Sequence, residues 1–350
     1  MPPNISNTNL KVYTEKDLQK EGSSTEKKIN DESVTQGERQ IVTKTDGWEI
    51  RNVKWINLIL ITSLHLYFIY ACFTFDFLKN LKTTAWFLFL YISGGFGVTG
   101  GVHRLWTHRA YKAKWPLRVI LAVAYSSAGM NDIYQWVRDH RVHHKFVDTD
   151  ADPHNSKRGF FFSHVGWLFL KKHPEVIRRG RQVDMSDILS DPIAALSVKY
   201  FPIFRFVFAY LLPVVIPVYG WNETWYRAIL SQVIRYVIIL NSTWSVNSVA
   251  HIWGAKPYDV HIDPTENRWV SLVTGGEGWH NYHHVFPWDY KAAELRYSVT
   301  TEIINFFGLI GWAYDMKQPS LEIVKSVVLK KGDGSHSMWN AVPCPADKIE

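Results

Sequence analysis

Four long apolar runs set the hydropathy pattern of this chain. They cover residues 55–75, 84–102, 201–220 and 225–246. A membrane-spanning helix needs roughly 20 mostly apolar residues, and each run has about that length. The last run is the weakest because Arg227 and Arg235 lie inside it, and each must snorkel or face protein. The pattern predicts an all-α integral membrane protein with four transmembrane helices.

The two ends of the chain differ from this apolar middle. Residues 1–46 are rich in Ser, Thr, Asn, Lys and Glu, and such a segment buries too little apolar surface to fold. We therefore expect a disordered cytosolic tail there, and a loose C-terminal tail at 331–350. Between them we expect one membrane domain, residues 47–330. A fifth apolar run, 117–130, is too short to span easily and predicts a buried or interfacial helix.

The distribution of positive charge predicts the orientation of the spans. Residues 103–200 carry many Lys and Arg side chains, whereas the connection 221–224 carries none. Because positive segments stay in the cytosol, we expect a cytosolic cap formed by 103–200 and 247–330, with both termini on the same side. The net charge of +7 is that of a solvated basic surface, and no nucleic-acid partner is expected.

Nine of the 15 histidines fall in four short words. These are His103 and His108 in HRLWTH, His140, His143 and His144 in HRVHH, His251 in NSVAH, and His280, His283 and His284 in HNYHH. Going from any word to any other crosses either no predicted span or two. All nine side chains therefore emerge on one face of the membrane.

The spacing within the words predicts a dinuclear metal site. In a helix, the H-x-x-H-H pattern presents three imidazoles from about one turn, so two such words supply six nitrogen ligands. His103 and His108 are five residues apart, about 140° on a regular helix, so we expect the helix geometry to change between them. Nine imidazoles are too many for one ion and suit two, with iron, zinc and copper all chemically suitable. The other histidines are expected to be ordinary surface or core residues: His65, His154, His164, His173, His261 and His336.

Together with the run DADPHNSKRGFFFSHVGW at 150–167, these words closely resemble the membrane acyl-CoA desaturases of the stearoyl-CoA desaturase type, including insect enzymes of the Δ9 and Δ11 types. The words occur in the same order and spacing over all but the tails. The resemblance implies four spans under a cytosolic helical cap in the endoplasmic reticulum membrane. It also implies two Fe²⁺ ions, dioxygen as the oxidant, a fatty acyl-CoA substrate, and electrons from cytochrome b5 and its reductase.

The resemblance also implies roles for individual residues. The nine histidines match the metal ligands, and Asn247 matches a residue that holds a metal-bound water. The residues matching the acyl tunnel are Tyr91, Gly95, Met130, Trp136, Thr243 and Trp244. Those matching positions around the coenzyme A headgroup are Asn57, Asn131, Arg138, Asp139, Lys171 and Lys172. Cations suit phosphates there, although an ordinary basic surface would also account for the two lysines, and helix packing for Tyr91 and Gly95.

Two departures from the vertebrate relatives bear on the product. Met130 stands where those relatives have glutamine, near the bend of the tunnel, and Gly95 stands where they have alanine. The first removes a hydrogen-bonding amide, and the second deepens the tunnel. We therefore do not expect the sequence to fix the position of the double bond.

Two other functions stay open at this point. A fatty-acyl hydroxylase or conjugase on the same scaffold would use the same ligands, and only its products would distinguish it. A metal-transporting membrane protein would place its ligands within the spans, near the midplane, whereas here only His65 is mid-span.

Overall fold

The computed structural model describes residues 10–13, 49–294 and 297–339, and most of these are helical. The helices are α1 (Trp55–Thr74), α2 (Leu81–Phe96), α3 (Trp115–Ala128), α4 (Ile133–Lys145), α5 (Trp167–Phe169), α6 (Pro174–Arg181), α7 (Ser186–Ser190), α8 (Pro192–Lys199), α9 (Phe201–Arg205), α10 (Leu212–Trp221), α11 (Trp225–Ile252), α12 (Arg268–Thr274), α13 (His280–Val285), α14 (Val299–Leu309) and α15 (Leu321–Lys331). π-helical segments at Gly97–Thr107, Phe162–Gly166 and Phe206–Leu211 continue α2, precede α5 and join α9 to α10.

Two short strand pairs complete the described regular structure, with 3₁₀ turns at Ile50–Asn52 and Ser156–Arg158. The strands are β1 (Leu10–Tyr13), β2 (Lys112–Ala113), β3 (Ala313–Tyr314) and β4 (Met316–Pro319). Strand β1 pairs in parallel with β4, and β2 pairs antiparallel with β3. The first pair brings residues 10–13 next to the C-terminal part of the described chain, and Ala313 of β3 and Met316 of β4 are buried in the core.

Within the part of the chain that the structure describes, three helical segments are long and apolar enough to cross a membrane. They are Trp55–Thr74, Leu81–Thr107 and Phe201–Trp221, in agreement with three of the four predicted spans. The fourth predicted span, 225–246, lies wholly within α11. Polar residues such as Gln232, Arg235 and Asn241 lower the hydropathy of α11, so its role as a span stays a prediction.

The polar content of α11 reflects its central position. This helix packs against α1, α2 and α10 and also contacts the cap helices α12 and α13. Arg235 is fully buried, and its Nε donates a 2.8 Å hydrogen bond to Gln232 Oε1. Arg227 is about half exposed and lies 3.7 Å from Glu223 Oε1. Thus one arginine faces protein and the other reaches outward, as expected for charges in a span.

The main hydrophobic core joins the π-helical segment Gly97–Thr107 to α3. The apolar run predicted at 117–130 forms α3, which buries Leu117, Leu121 and Tyr125. The backbones of the π-helical segment and α3 come closest at Gly97, where an added Cβ would lie 2.1 Å from the Tyr125 backbone nitrogen. The core thereby fixes the end of α2 relative to the cap.

The two predicted tails differ from expectation where the structure describes them. Residues 10–13 form β1, because pairing with β4 supplies backbone hydrogen bonds that composition does not reveal. The rest of the predicted tail 1–46 lies outside the described residues. At the other end, His336 is buried, and its Nε2 lies 2.8 Å from Glu294 Oε2, so residues 332–339 pack on the cap. Residues 340–350 lie outside the described residues.

Candidate metal centre and adjoining cavity

The H-x-x-x-x-H word occupies the end of the π-helical segment. The amide of His108 donates to the carbonyl of His103 at 3.1 Å, a hydrogen bond between residues five apart. Such bonding defines a π-helix and brings residues five apart onto one face. The two imidazole centroids are therefore only 4.9 Å apart. The predicted change of helix geometry is confirmed, and it begins earlier, at Gly97.

The other three words lie at helix ends. HRVHH forms the last turns of α4, His251 lies in the last turn of α11, and HNYHH makes up most of α13. The structure brings all nine histidines into two groups. Within each group, the possible ligand atoms all lie within 4.8 Å of one another. The first group is His103, His108, His140, His144 and His283, and the second is His143, His251, His280 and His284.

Three carboxylates, which the sequence analysis missed, contact the outer nitrogens of three of these rings. Glu277 Oε2 lies 3.3 Å from His103 Nδ1, Asp152 Oδ2 lies 2.8 Å from His143 Nδ1, and Asp148 Oδ2 lies 2.9 Å from His251 Nδ1. A carboxylate at Nδ1 keeps the hydrogen there and directs the Nε2 lone pair inward. The available signal was the position of these acids beside the words, in DTDAD and in EGWH.

The electrostatics of the site favour neutral imidazoles at most ligand positions, beside ionised carboxylates. His143 is the exception, because burial lowers its pKa but Asp152 and Asp148 raise it by more. Burial lowers the pKa of His140, and the neighbouring His144 and His103 lower it further. Burial alone would raise the pKa of Glu277, but Arg104 and His103 outweigh it and hold that pKa at about 2. Neutral imidazole is the form of histidine that binds metals.

His154, which the sequence analysis treated as an ordinary residue, lies beside the second group. Its Nδ1 is 3.4 Å from Asp152 Oδ1, and its ring centroid is 4.4 Å from that of His143. Burial lowers the pKa of His154 to about 3. His143, Asp152 and His154 form a third set of possible ligand atoms that shares His143 with the second group.

A cavity of about 780 Å³ adjoins the two histidine groups. That volume lies within the range of sites that bind small molecules. All six residues predicted for the acyl tunnel line it: Tyr91, Gly95, Met130, Trp136, Thr243 and Trp244. His103, His140, His280 and Asn247 line the same cavity, which therefore reaches from the histidines to α2 and α11. A Cβ added at Gly95 would meet nothing within 4 Å, so this glycine leaves the cavity open.

The residues predicted for the coenzyme A headgroup divide into two sets. Asn57, Asn131 and Asp139 line the cavity. Arg138 and Lys172 do not line it but both pair with Asp139, with a distance of 3.2 Å from Arg138 Nη2 to Asp139 Oδ1. Lys171 is exposed, next to Lys172, and does not line the cavity.

Lys54, which the sequence analysis did not single out, stands close to the same charges. Burial lowers the pKa of Lys54, the neighbouring Lys172 lowers it further, and Asp139 acts in the opposite direction. Its backbone amide donates to the carbonyl of Phe169 at 2.7 Å, immediately before α1 begins. A cation directly before a predicted span was the available signal. Asp139, on the cavity wall, is thus close to the cations of Lys54, Arg138 and Lys172.

Comparison with known proteins agrees with this arrangement. Residues 81–297 match the family described as fatty acid desaturase. The chain is 53% identical to an acyl-CoA Delta-9 desaturase of Acheta domesticus over 83% of this chain and 82% of the relative. It is 48% identical to an acyl-CoA Delta(11) desaturase of Spodoptera littoralis, over 82% of this chain and 86% of the relative. It is 47% identical to a (11Z)-hexadec-11-enoyl-CoA conjugase of Bombyx mori, over 82% of this chain and 88% of the relative.

Proposed function

Because this chain belongs to the fatty acid desaturase family, we propose that it is an acyl-CoA desaturase that places a double bond in a fatty acyl chain with dioxygen as oxidant. The observation that carries the proposal is the junction of two nitrogen-rich groups with a cavity of about 780 Å³. In the overall reaction, two hydrogens leave the acyl chain. Together with two electrons and two protons they reduce dioxygen to two waters.

The nitrogen donors fit a pair of iron ions. His103 and His251 keep their Nδ1 hydrogens on carboxylates, so their Nε2 lone pairs point into the two groups. The Nε2 atoms of His108 and His140 are buried and have no hydrogen-bond partner among the described residues. Buried nitrogens without partners cost free energy unless something binds them, and a metal ion would do so. When bound, the metal pair would supply the activation of dioxygen and the removal of hydrogen.

The nine histidines are the proposed ligands. Asn247 is the proposed holder of a metal-bound water, which is supported by its position on the cavity wall, one turn before His251 on α11.

The protein's own contribution is to position the acyl chain and to exclude water. C–H bonds along a saturated chain are chemically alike, so only geometry can select two adjacent carbons. Trp136, which contacts His103 and His140, and Trp244 both line the cavity and would fix the course of the acyl chain there. Apolar walls also keep water from the reaction.

The headgroup is proposed to dock at the cavity mouth. Two cations, Arg138 and Lys172, flank Asp139 there, and Lys171 and Lys54 add positive charge. Guanidinium and ammonium groups form charge-assisted hydrogen bonds with phosphates. Asn57 and Asn131, on the cavity wall, would contact the part of the cofactor nearest the acyl chain.

The membrane arrangement is part of the same proposal. We place four spans in the endoplasmic reticulum membrane, with α11 as the fourth, and both termini and the cap in the cytosol. Cytochrome b5 and its reductase would deliver the electrons from that side. This arrangement is supported by the meeting of all four histidine words on one side of the candidate spans.

Expression in a yeast strain that lacks its own desaturase tests the proposed function. We expect growth without added unsaturated fatty acids, and monounsaturated chains whose double bonds mass spectrometry can locate. The variant His283→Ala should abolish both, whereas the exposed His261→Ala should abolish neither. Absence of any new unsaturated product from well-expressed wild-type protein would refute the proposal.

A conjugase activity is the second candidate, because a Bombyx mori conjugase is 47% identical to this chain. A conjugase acts on a chain that already has a double bond, and the same ligand set serves it. Supplying the yeast with monounsaturated acyl chains of defined geometry distinguishes the two activities. Conjugated dienes would indicate the second one, and a hydroxylated product would indicate a hydroxylase on the same scaffold.

A further inference from the structure

Two histidines outside the metal centre are joined through one asparagine. His65 lies in α1 and His164 in the π-helical segment Phe162–Gly166, and both reach Asn241 of α11. Asn241 Nδ2 is 3.0 Å from His65 Nε2, and His164 Nε2 is 3.1 Å from Asn241 Oδ1. At its other nitrogen, His164 Nδ1 lies 2.9 Å from Ser248 Oγ. An unbroken chain of hydrogen bonds therefore links a candidate span, α11 and the cap.

The direction of these hydrogen bonds is fixed by backbone carbonyls at the His65 end. His65 Nδ1 must donate, since it lies 2.8 Å from the carbonyl oxygen of Ile61, so its Nε2 accepts from Asn241. The Asn241 amide nitrogen also donates to the carbonyl oxygen of Val237 at 2.8 Å. Its oxygen is therefore left to accept from His164 Nε2. Each ring has one orientation and one tautomer that satisfy the chain.

Two rings of this hydrogen-bonded chain pack against the ring of Trp244. The His65 ring lies nearly parallel to that indole, at 6.0 Å between centroids and 18° between planes. The His164 ring meets it edge-on, at 5.9 Å and 81°. Ser248 Oγ lies 2.9 Å from His164 Nδ1 and 3.0 Å from the Trp244 carbonyl oxygen, and its single hydrogen serves one of them at a time. With His164 Nε2 as the donor to Asn241, the Ser248 hydroxyl donates to His164 Nδ1. Trp244 is itself buried and lines the cavity.

The position of Trp244 connects this network with the chemistry. Asn247 and His251 follow Trp244 at three and seven residues on α11, so the three share one helix face. The indole therefore lines the cavity on the face of α11 that leads to Asn247 and His251. A displacement of about 1 Å in such a wall can change a reaction rate by two orders of magnitude.

We infer that His65 and His164 are positioning residues that hold the Trp244 ring and thereby select which carbons of the acyl chain reach the metal centre. The inference rests on the proposed function. An ionisable residue within a membrane span is expensive, and it persists where it has a defined partner and a function. Here the partner is Asn241, and the function is to fix the shape of the cavity rather than to bind metal.

The test compares the double-bond positions made by variants in the desaturase-deficient yeast. His65→Leu and His164→Leu remove the links on each side of Asn241. We expect the ratio of the main product to the product at neighbouring carbons to fall about tenfold, which corresponds to a difference of about 1.4 kcal/mol in activation free energy. His164→Gln keeps an amide N–H that can reach Asn241, so its ratio should lie between those of His164→Leu and the wild type.

Three further measurements separate this role from a general structural one. The exposed His261→Leu is the matched control and should keep the wild-type ratio. Iron content of each purified variant should match that of the wild type, because no ligand is altered. Ser248→Ala changes little volume and should shift the ratio in the same direction by a smaller factor, so it decides the question if the leucine variants do not fold.

The inference is overturned if Ser248→Ala and every iron-loaded leucine variant give the wild-type product ratio. It is also overturned if product amounts fall while the ratio stays constant, since that would show a structural role only. A wild-type protein that makes no unsaturated product would instead refute the proposed function, so the two failures are distinguishable.

Discussion

At the scale of single residues, the two H-x-x-H-H words contribute to the two nitrogen groups in opposite senses. HRVHH gives its first and last histidines to the first group and its middle one, His143, to the second. HNYHH gives its first and last histidines to the second group and its middle one, His283, to the first. Each helix turn thus lies between the two groups. This explains why the word occurs twice, and why one copy could not complete either group.

The carboxylates around the histidines show the limit of prediction at this scale. Repeated histidine words are rare, so eight of the nine predicted ligands follow from the spacing of histidines, whereas the prediction of His251 rests on its position after a predicted span and on the family resemblance. Single acids such as Asp152 and Glu277 are common in any chain. The contact of Glu277 with His103 depends on how distant segments pack, and that of Asp152 with His143 depends on the course of the loop after α4. Only the three-dimensional arrangement distinguishes Asp152 from its neighbour Asp150, which is exposed.

Replacing Asp152 by asparagine should weaken metal binding. The amide cannot hold the His143 Nδ1 hydrogen as a carboxylate does, and loss of such outer partners typically lowers metal affinity by about 10- to 100-fold. Iron retained after dialysis against a graded chelator measures the change. Asp150→Asn, two residues away and exposed, is the control and should retain iron like the wild type. Equal iron retention in both variants would contradict a role for Asp152 at the site.

At the scale of secondary-structure elements, the π-helical segment Gly97–Thr107 shows what spacing predicts and what it does not. Two histidines five residues apart required a change of helix geometry, and that change is present. Its start at Gly97 depends on the close approach of α3, where Gly97 faces the Tyr125 backbone. The sequence contains several glycines nearby and does not indicate which of them touches a neighbouring backbone.

Gly97→Ala should destabilise the protein strongly. A Cβ there would come within 2.1 Å of the Tyr125 backbone nitrogen, so α2 and α3 would have to separate. Overpacking of this kind costs about 1–3 kcal/mol of unfolding free energy, and more where backbone must move. The melting temperature in detergent and the yield of folded protein measure the effect. A melting temperature equal to that of the wild type would show that the two helices are not packed as described.

Gly95→Ala, in the same helix, should alter substrate choice with little loss of stability. Its Cβ meets no atom within 4 Å and would project into open space at the cavity wall. Alanine also favours helix over glycine by up to about 1 kcal/mol. We therefore expect the product spectrum to shift toward shorter acyl chains while the melting temperature stays the same or rises. An unchanged chain-length distribution would indicate that acyl chains do not reach Gly95.

At the scale of the whole molecule, long-range contacts decide the features that the sequence does not reveal. Hydropathy identified the candidate spans but could not show that α11 is the central helix, since central helices in membranes tolerate polar side chains such as Gln232 and Arg235. Composition suggested a loose C-terminal tail, yet His336 packs between Glu294 and Trp339. Local patterns do not encode which distant surface covers a segment, so the sequence does not reveal either feature.

Removal of iron should loosen one part of the cap more than the rest. The proposed ligands lie on separate elements, and His103 and His283, for example, are 180 residues apart in the chain. Bound iron would therefore link segments that are distant along the chain. Helix α13 has only six residues, too few to be stable alone. By contrast, α3 is held by buried apolar side chains. Hydrogen exchange on the iron-loaded and chelated proteins should therefore show faster exchange in α13 after chelation and unchanged exchange in α3. An equal change in both helices, or no change in α13, would contradict a metal site built on HNYHH.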